Sequence, residues 1–211
     1  MTHRADARPW VRTVLGVAAL VLFFAVMLAL IAALAFSVTV TGSSMEPTLS
    51  SGDRLLVDPR GAGDVGRFDI VESTLGDREI PVVKRVIGLP GDQVRVRADL
   101  DPPVVLVRPA ADDTTYVVDN PAWTGRVGAK TEACCDDDGT SLPAGRPQQW
   151  VTVPAASYWV VGDNWGGSDD SRTFGFVRRD QVKARVVLRL RPLREMGGLP
   201  GAPRLVARDP D

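Results

Sequence analysis

The chain has 211 residues, with 25 basic and 26 acidic side chains and a formal net charge of −1. That length suits one domain with attachments, or at most two small domains. The balance excludes a basic stripe for nucleic acid and an acidic tail of the solvating, disordered kind.

Hydrophobicity is concentrated near the N-terminus. No side chain between Arg12 and Glu46 is charged, and Val14 to Phe36 is almost wholly Val, Leu, Ala, Phe, Ile and Met. About 20 such residues cross the hydrocarbon core as a helix. The apolar part of a cleavable secretory signal is shorter, about 7–15 residues. A retained transmembrane helix is therefore expected over residues 13–37. Arg4, Arg8 and Arg12 precede it with Asp6 the only acid, while Glu46 and Asp53 come after it. The positive-inside rule puts residues 1–12 in the cytoplasm, with Trp10 an anchor at that interface, and everything from about residue 40 outside.

Strand signals dominate the chain beyond Phe36. DRLLVD, DIVES, IPVVKRVIG, QVRVRA, VVLVR, TYVVD, WVTVPAASYWVVGD and KARVVLRLRPL are short and β-branched, separated by Gly, Pro and Asp clusters. No later segment shows a sustained helical period, so a mainly β domain is expected. Its core is read as 38–97 and 148–193, split by a variable, partly looped insert over 98–147 and succeeded by a flexible tail over 194–211. The insert contains ACCDDDG at 133–139, which lacks the ligand spacing of a calcium loop and reads as a solvated turn. Cys134 and Cys135 are adjacent, so a strained ring disulfide, free thiols and an intermolecular bridge all stay open. No metal-ligand spacing accompanies them.

The sole histidine is His3, on the cytoplasmic side. Serine-dependent chemistry outside must then use another base. Lysine serves where apolar burial keeps it uncharged. The outer segment has three, Lys84, Lys130 and Lys183. Lys130 lies in the polar insert, and Lys183 stands near a strand start. Lys84 sits within IPVVKRVIGLPGD. As a strand residue it shares a face with Val82 and Val86, which favours desolvation. The alternative has Val83 and Ile87 facing the core and Lys84 in water. Alternation alone leaves both open.

SSMEPTL at 43–49, DRLLVD at 53–58, GDVGRFDIV at 63–71, KRVIGLPGD at 84–92 and GDNWGGSDDSRTFGFV at 162–177 together resemble the boxes of bacterial type I signal peptidases, in order and spacing. The resemblance covers most of 38–97 and 158–190, and neither the insert nor the tail. It implies an anchored enzyme of the bacterial plasma membrane, with a barrel-like β domain outside and no cofactor or metal. The implied nucleophile is Ser44 and the implied general base Lys84; Ser168 would orient the lysine, with Asp170 and Arg172 a supporting pair. A Ser–Lys dyad passes through an acyl-enzyme that water hydrolyses. The implied oxyanion donors are the Ser44 backbone N–H and a group two residues earlier, where some members carry serine. Here it is Gly42, which leaves a backbone N–H or water for that role. Trp165 stands where arginine often comes after GDN.

The implied substrates are secretory preproteins, cleaved at the outer face of the lipid bilayer after small residues at −1 and −3. An extended peptide would add as a strand near Ser44. Val40, Met45, Leu49, Val82 and Val83 match positions lining the family's shallow pockets, with core packing the alternative at each. A processor of one dedicated client and a catalytically silent, anchored β domain are the other readings; the presence of both Ser44 and Lys84 argues against the silent one.

Overall fold

The computed structural model describes residues 9–76, 79–97, 100, 103–112, 114–123, 149–199 and 201–208. The flanking residues His3, Arg4, Asp6 and Arg8, together with Lys130, Cys134, Cys135 and the acidic run at 133–139, lie outside the described residues.

Helix α1 runs Pro9–Ala35, 27 residues in which strong helix formers such as Leu and Ala predominate. It is apolar all round, and Trp10–Ala35 is long and apolar enough to cross a membrane. The chain divides after Ser37, the helix forming one compact unit and the β domain from Val38 the other.

The β domain has strands β1 (Ser37–Thr39), β2 (Arg54–Asp58), β3 (Ile70–Ser73), β4 (Val82–Gly88), β5 (Gln93–Arg97), β6 (Val104–Arg108), β7 (Tyr116–Asp119), β8 (Val151–Thr152), β9 (Ser157–Val161), β10 (Val177–Arg178), β11 (Val182–Arg191) and β12 (Arg204–Ala207). Among the described residues one short α-helix, α2 (Ser171–Phe174), and four 3₁₀ turns stand between them. Among the described residues the strands form a seven-stranded sheet in the order β1-β2-β11-β3-β4-β9-β10 and a five-stranded sheet in the order β12-β7-β6-β5-β8. Neighbouring strands run antiparallel, as in β3–β4, β4–β9 and β5–β6. The mainly β expectation is met.

Three apolar clusters hold these sheets. Ile70 joins Val40, Met45, Leu49 and Leu55, whereas Val71, next along β3, joins Val86, Val160 and Val182. Ile87 belongs to a third cluster with Val94, Val105 and Trp159. Strands β3 and β4 thus have apolar packing on both faces, as central strands do.

The strands expected of VVLVR and TYVVD form within the insert as β6 and β7, with β6 pairing β5, which precedes the insert. One sequence expectation changes. The tail is not a uniformly flexible segment: Leu205 and Val206 stand opposite Val118 and Val117, and Leu205 packs against the cluster of the second sheet. An open edge of β7 gives this short apolar run a ladder and a surface to cover.

Candidate active site

The segment that leaves β1 turns tightly before β2. Gly42 has φ of 86°, and the Glu46 N–H donates to the Ser43 carbonyl at 3.1 Å. Positive φ suits glycine because it has no Cβ. Met45 and Leu49 anchor the turn at 1% and 0% exposure. From the far side Asn164 clamps it: its Nδ2 donates to the Ser43 carbonyl and its backbone N–H to the Ser44 carbonyl, each at 3.0 Å.

Strand β4 brings Lys84 to this turn. Its Nζ donates to Ser44 Oγ at 2.7 Å and to the Val83 carbonyl at 3.2 Å. The lysine is 2% exposed. The open choice between water and core resolves toward burial, because the faces on either side of β4 are both covered. Lys183 is exposed, its Nζ on the Asp180 carbonyl.

Arg85 points away from Lys84 and is also buried. Its Nε and Nη2 donate to the two carboxylate oxygens of Asp163 at 2.9 and 2.6 Å, and its Nη1 to the Phe68 carbonyl at 3.0 Å. Asn120 Nδ2 adds a 3.0 Å bond to Asp163. Since Asp163 precedes Asn164, the pair ties the lysine strand to the loop that clamps Ser44.

Ser168 is fully buried beside Gly162. A Cβ at 162 would collide with the Ser168 side chain and with the Ser44 carbonyl, so the two serines meet across a backbone that only glycine fits. Asp170 accepts from the Gly162 N–H at 2.9 Å and from Arg172 Nε and Nη2 at 2.8 Å each, and caps α2 through the Arg172 N–H at 3.2 Å. Burial pushes the Asp170 carboxyl up, but the Arg172 charge and hydrogen bonds from Arg172, Gly162 and Ser168 outweigh it, leaving it below the usual range. Arg172 lies 4.3 Å over the Trp165 ring, which meets Trp123 edge-on at 5.0 Å. Trp165, at the departure from the family's arginine, is a packed wall for that guanidinium.

Beside Ser44 opens a cleft of about 400 Å³, lined among others by Val38, Val40, Met45, Glu72, Val82 and Val83. Four of the five expected pocket residues are there. Leu49 is the exception: it is completely buried in the cluster of Leu55 and Ile70, and is not among the lining residues. Arg85, Asp163, Asn164 and Glu72 are site residues that sequence reasoning misses. The first three stand inside the boxes of the family resemblance, where a charged pair and an amide flanking the key residues are the available signal; nothing in DIVES marks Glu72.

A nucleophile-type hydroxyl, a buried amine within hydrogen-bond reach and an adjoining cleft are an arrangement capable of acyl transfer. The family model described as signal peptidase, peptidase S26 matches residues 10–191. Signal peptidase IB of Staphylococcus aureus (strain COL) is 32% identical over 165 residues, covering 74% of this chain and 78% of its own. Signal peptidase I of Bacillus caldolyticus is 33% identical over 160 residues, covering 74% and 79%. Among solved structures, a signal peptidase I from Enterococcus faecalis V583 is 30% identical with a TM-score of 0.40, covering 58% of this chain and 97% of that one.

Proposed function

The chain belongs to the signal peptidase family, peptidase S26, serine peptidases that cleave signal peptides from preproteins, and from that premise we propose that it does so with Ser44 as nucleophile and Lys84 as general base. The observation that carries this reading is the 2.7 Å contact between the lysine amine and the serine hydroxyl. The same heavy-atom separation serves a neutral amine that accepts the hydroxyl proton.

In the forward step Lys84 Nζ takes the Ser44 proton as Oγ bonds to the scissile carbonyl carbon. The resulting ammonium then gives that proton to the departing amine nitrogen, and the peptide C–N bond breaks. Water, deprotonated by the same amine, attacks the acyl-enzyme ester; the ammonium returns that proton to Ser44 Oγ as the ester C–O bond breaks, and the acid product leaves. The step requires an uncharged Lys84, and burial among apolar side chains disfavours an ammonium.

Ser168, Asp170 and Arg172 act as positioning groups. The contacts of Gly162 with Ser168 and with the Ser44 carbonyl couple them to the nucleophile's backbone. The Ser44 N–H is the first oxyanion donor; Gly42 brings only its backbone to the second place. The substrate lies as an added strand along the cleft, where Val40, Met45, Val82 and Val83 favour small side chains at −1 and −3. Helix α1 is the membrane anchor, with its N-terminal end in the cytoplasm and the β domain outside a bacterial plasma membrane.

The test is cleavage of a purified preprotein in detergent by the wild type, Ser44→Ala and Lys84→Ala, with mass spectrometry locating the cut. Cleavage after a small-x-small sequence, lost in both variants, supports the reading. Substantial activity in Lys84→Ala would remove the lysine from its role.

A further inference from the structure

The cleft wall is apolar or hydroxyl-bearing, save for one glutamate. Glu72 lies on β3, opposite Val83 of β4 and Ala184 of β11 in register. Alternate strand residues share a face, so Glu72 continues the face of Ile70, which joins Ala184 in the cluster of Val40, Met45 and Leu55. An aliphatic residue would extend that cluster to the cleft; a carboxylate ends it.

Glu72 is half-buried, and among the cleft's lining residues it alone is ionisable. Among the described residues no hydrogen bond or ion pair reaches its carboxylate. Burial raises its carboxyl above the ordinary glutamate value, a sign that the ion lacks compensation there. A desolvated carboxylate without a donor is unfavourable, and a donor arriving with a ligand removes that cost.

Register indicates which substrate residue would bring it. Lys84, bonded to Ser44, stands opposite Val71, and the Glu72–Val83 pair is the next step along the ladder. An extended substrate directs alternate side chains into one cleft. The first is the −1 residue, whose carbonyl Ser44 attacks; the second is the residue at −3. We propose that Glu72 is a specificity determinant that receives the −3 side chain and selects a short one carrying a hydrogen-bond donor or positive charge. This role rests on the peptidase reading of the site.

The probe is a peptide pair identical except at −3, where one carries 2,3-diaminopropionate and the other its near-isostere 2-aminobutyrate, beside a parent with alanine at −1 and −3. Wild type is expected to favour the diaminopropionate peptide by about tenfold or more in kcat/KM. Glu72→Val should reverse that preference and Glu72→Gln should fall between them. The ratio is taken within each enzyme, so a loss of folded protein does not move it. An equal ratio in wild type and Glu72→Val overturns the assignment. If wild type leaves the parent uncut, along with intact preproteins, the peptidase reading itself fails; if it cuts the parent without discriminating the pair, only the role of Glu72 fails.

Discussion

Arg85 and Asp163, 78 positions apart in the chain, meet in a buried two-pronged pair of 2.9 and 2.6 Å. Each is the immediate neighbour of a residue at the Ser44 turn, Lys84 on one side and Asn164 on the other. The pair fixes how β4 stands relative to the loop after β9, and so the distance between amine and hydroxyl.

Removing one partner strands the other charge in the interior. Asp163→Ala is expected to destabilise the β domain by about 3–5 kcal/mol, read from urea unfolding of the full chain in detergent. A double variant, Arg85→Met with Asp163→Leu, should regain much of that stability, because a buried ion pair is often replaceable by apolar volume. Its activity should stay low, since nothing then aligns Asn164 with Lys84. A loss below about 1 kcal/mol in the single variant would mean that water reaches the pair and that the alignment comes from elsewhere.

Gly162→Ala addresses the other side of the site. The added methyl would collide with the Ser168 side chain and the Ser44 carbonyl. Ser44 must shift by some tenths of an ångström or more, and for a proposed nucleophile a misplacement of about 1 Å costs about 10²-fold in rate. The expected result is a kcat lowered by that order, with KM for the preprotein changed much less. Equal kcat in the variant would show that the loop relaxes without moving Ser44.

Acid should act through Asp170. Its folded pKa lies below the ordinary carboxylate value, because the Arg172 charge and the surrounding donors outweigh the burial that pushes it up. A carboxylate depressed in the folded state contributes stability that is fully present above the unfolded value of about 3.9 and is lost as pH falls through the folded one. Wild type should therefore lose stability steeply below about pH 4. Asp170→Asn should be less stable at neutral pH and show a shallower acid slope. Identical slopes by urea titration at several pH values would refute the assignment.

Much of this arrangement is legible in the residues. Runs such as DIVES and QVRVR announce β3 and β5 because β-branched alternation between turn residues has few other outcomes. The boxes around Ser44, Lys84 and Gly162 bring together residues that the fold does place side by side. Less is legible where a residue's fate depends on a partner distant in sequence. Alternation could not orient Lys84, because clusters cover both sides of its strand. Leu49, an apolar residue five places after Ser44, reads equally as pocket wall or core, and only its complete burial decides. RLVA at 204–207 forms a strand because β7 offers an unpaired edge, which no local pattern reveals.

The role proposed for Lys84 carries a pH dependence of its own. If the amine is the general base, the reacting form of the free enzyme has it unprotonated, and kcat/KM must fall as pH is lowered, approaching tenfold per pH unit on the acid limb. His3, the only histidine, lies in the N-terminal flank, away from the Ser44 turn in sequence, and the cleft carboxyl of Glu72, raised by burial, is removed from the profile by recording it in Glu72→Gln as well. The limb must be separated from acid unfolding. Loss of the Asp170 contribution begins only below the ordinary carboxylate range near pH 4. Unfolding curves recorded at the same pH values should show the domain intact while kcat/KM is already falling. Lys84→Met, which fills similar volume without the amine, should lower kcat by about 10²–10⁴-fold, the usual worth of a positioned base, and its residual rate should no longer follow the limb. A wild-type profile flat down to the onset of unfolding would place the titrating base elsewhere and leave the 2.7 Å contact a structural one.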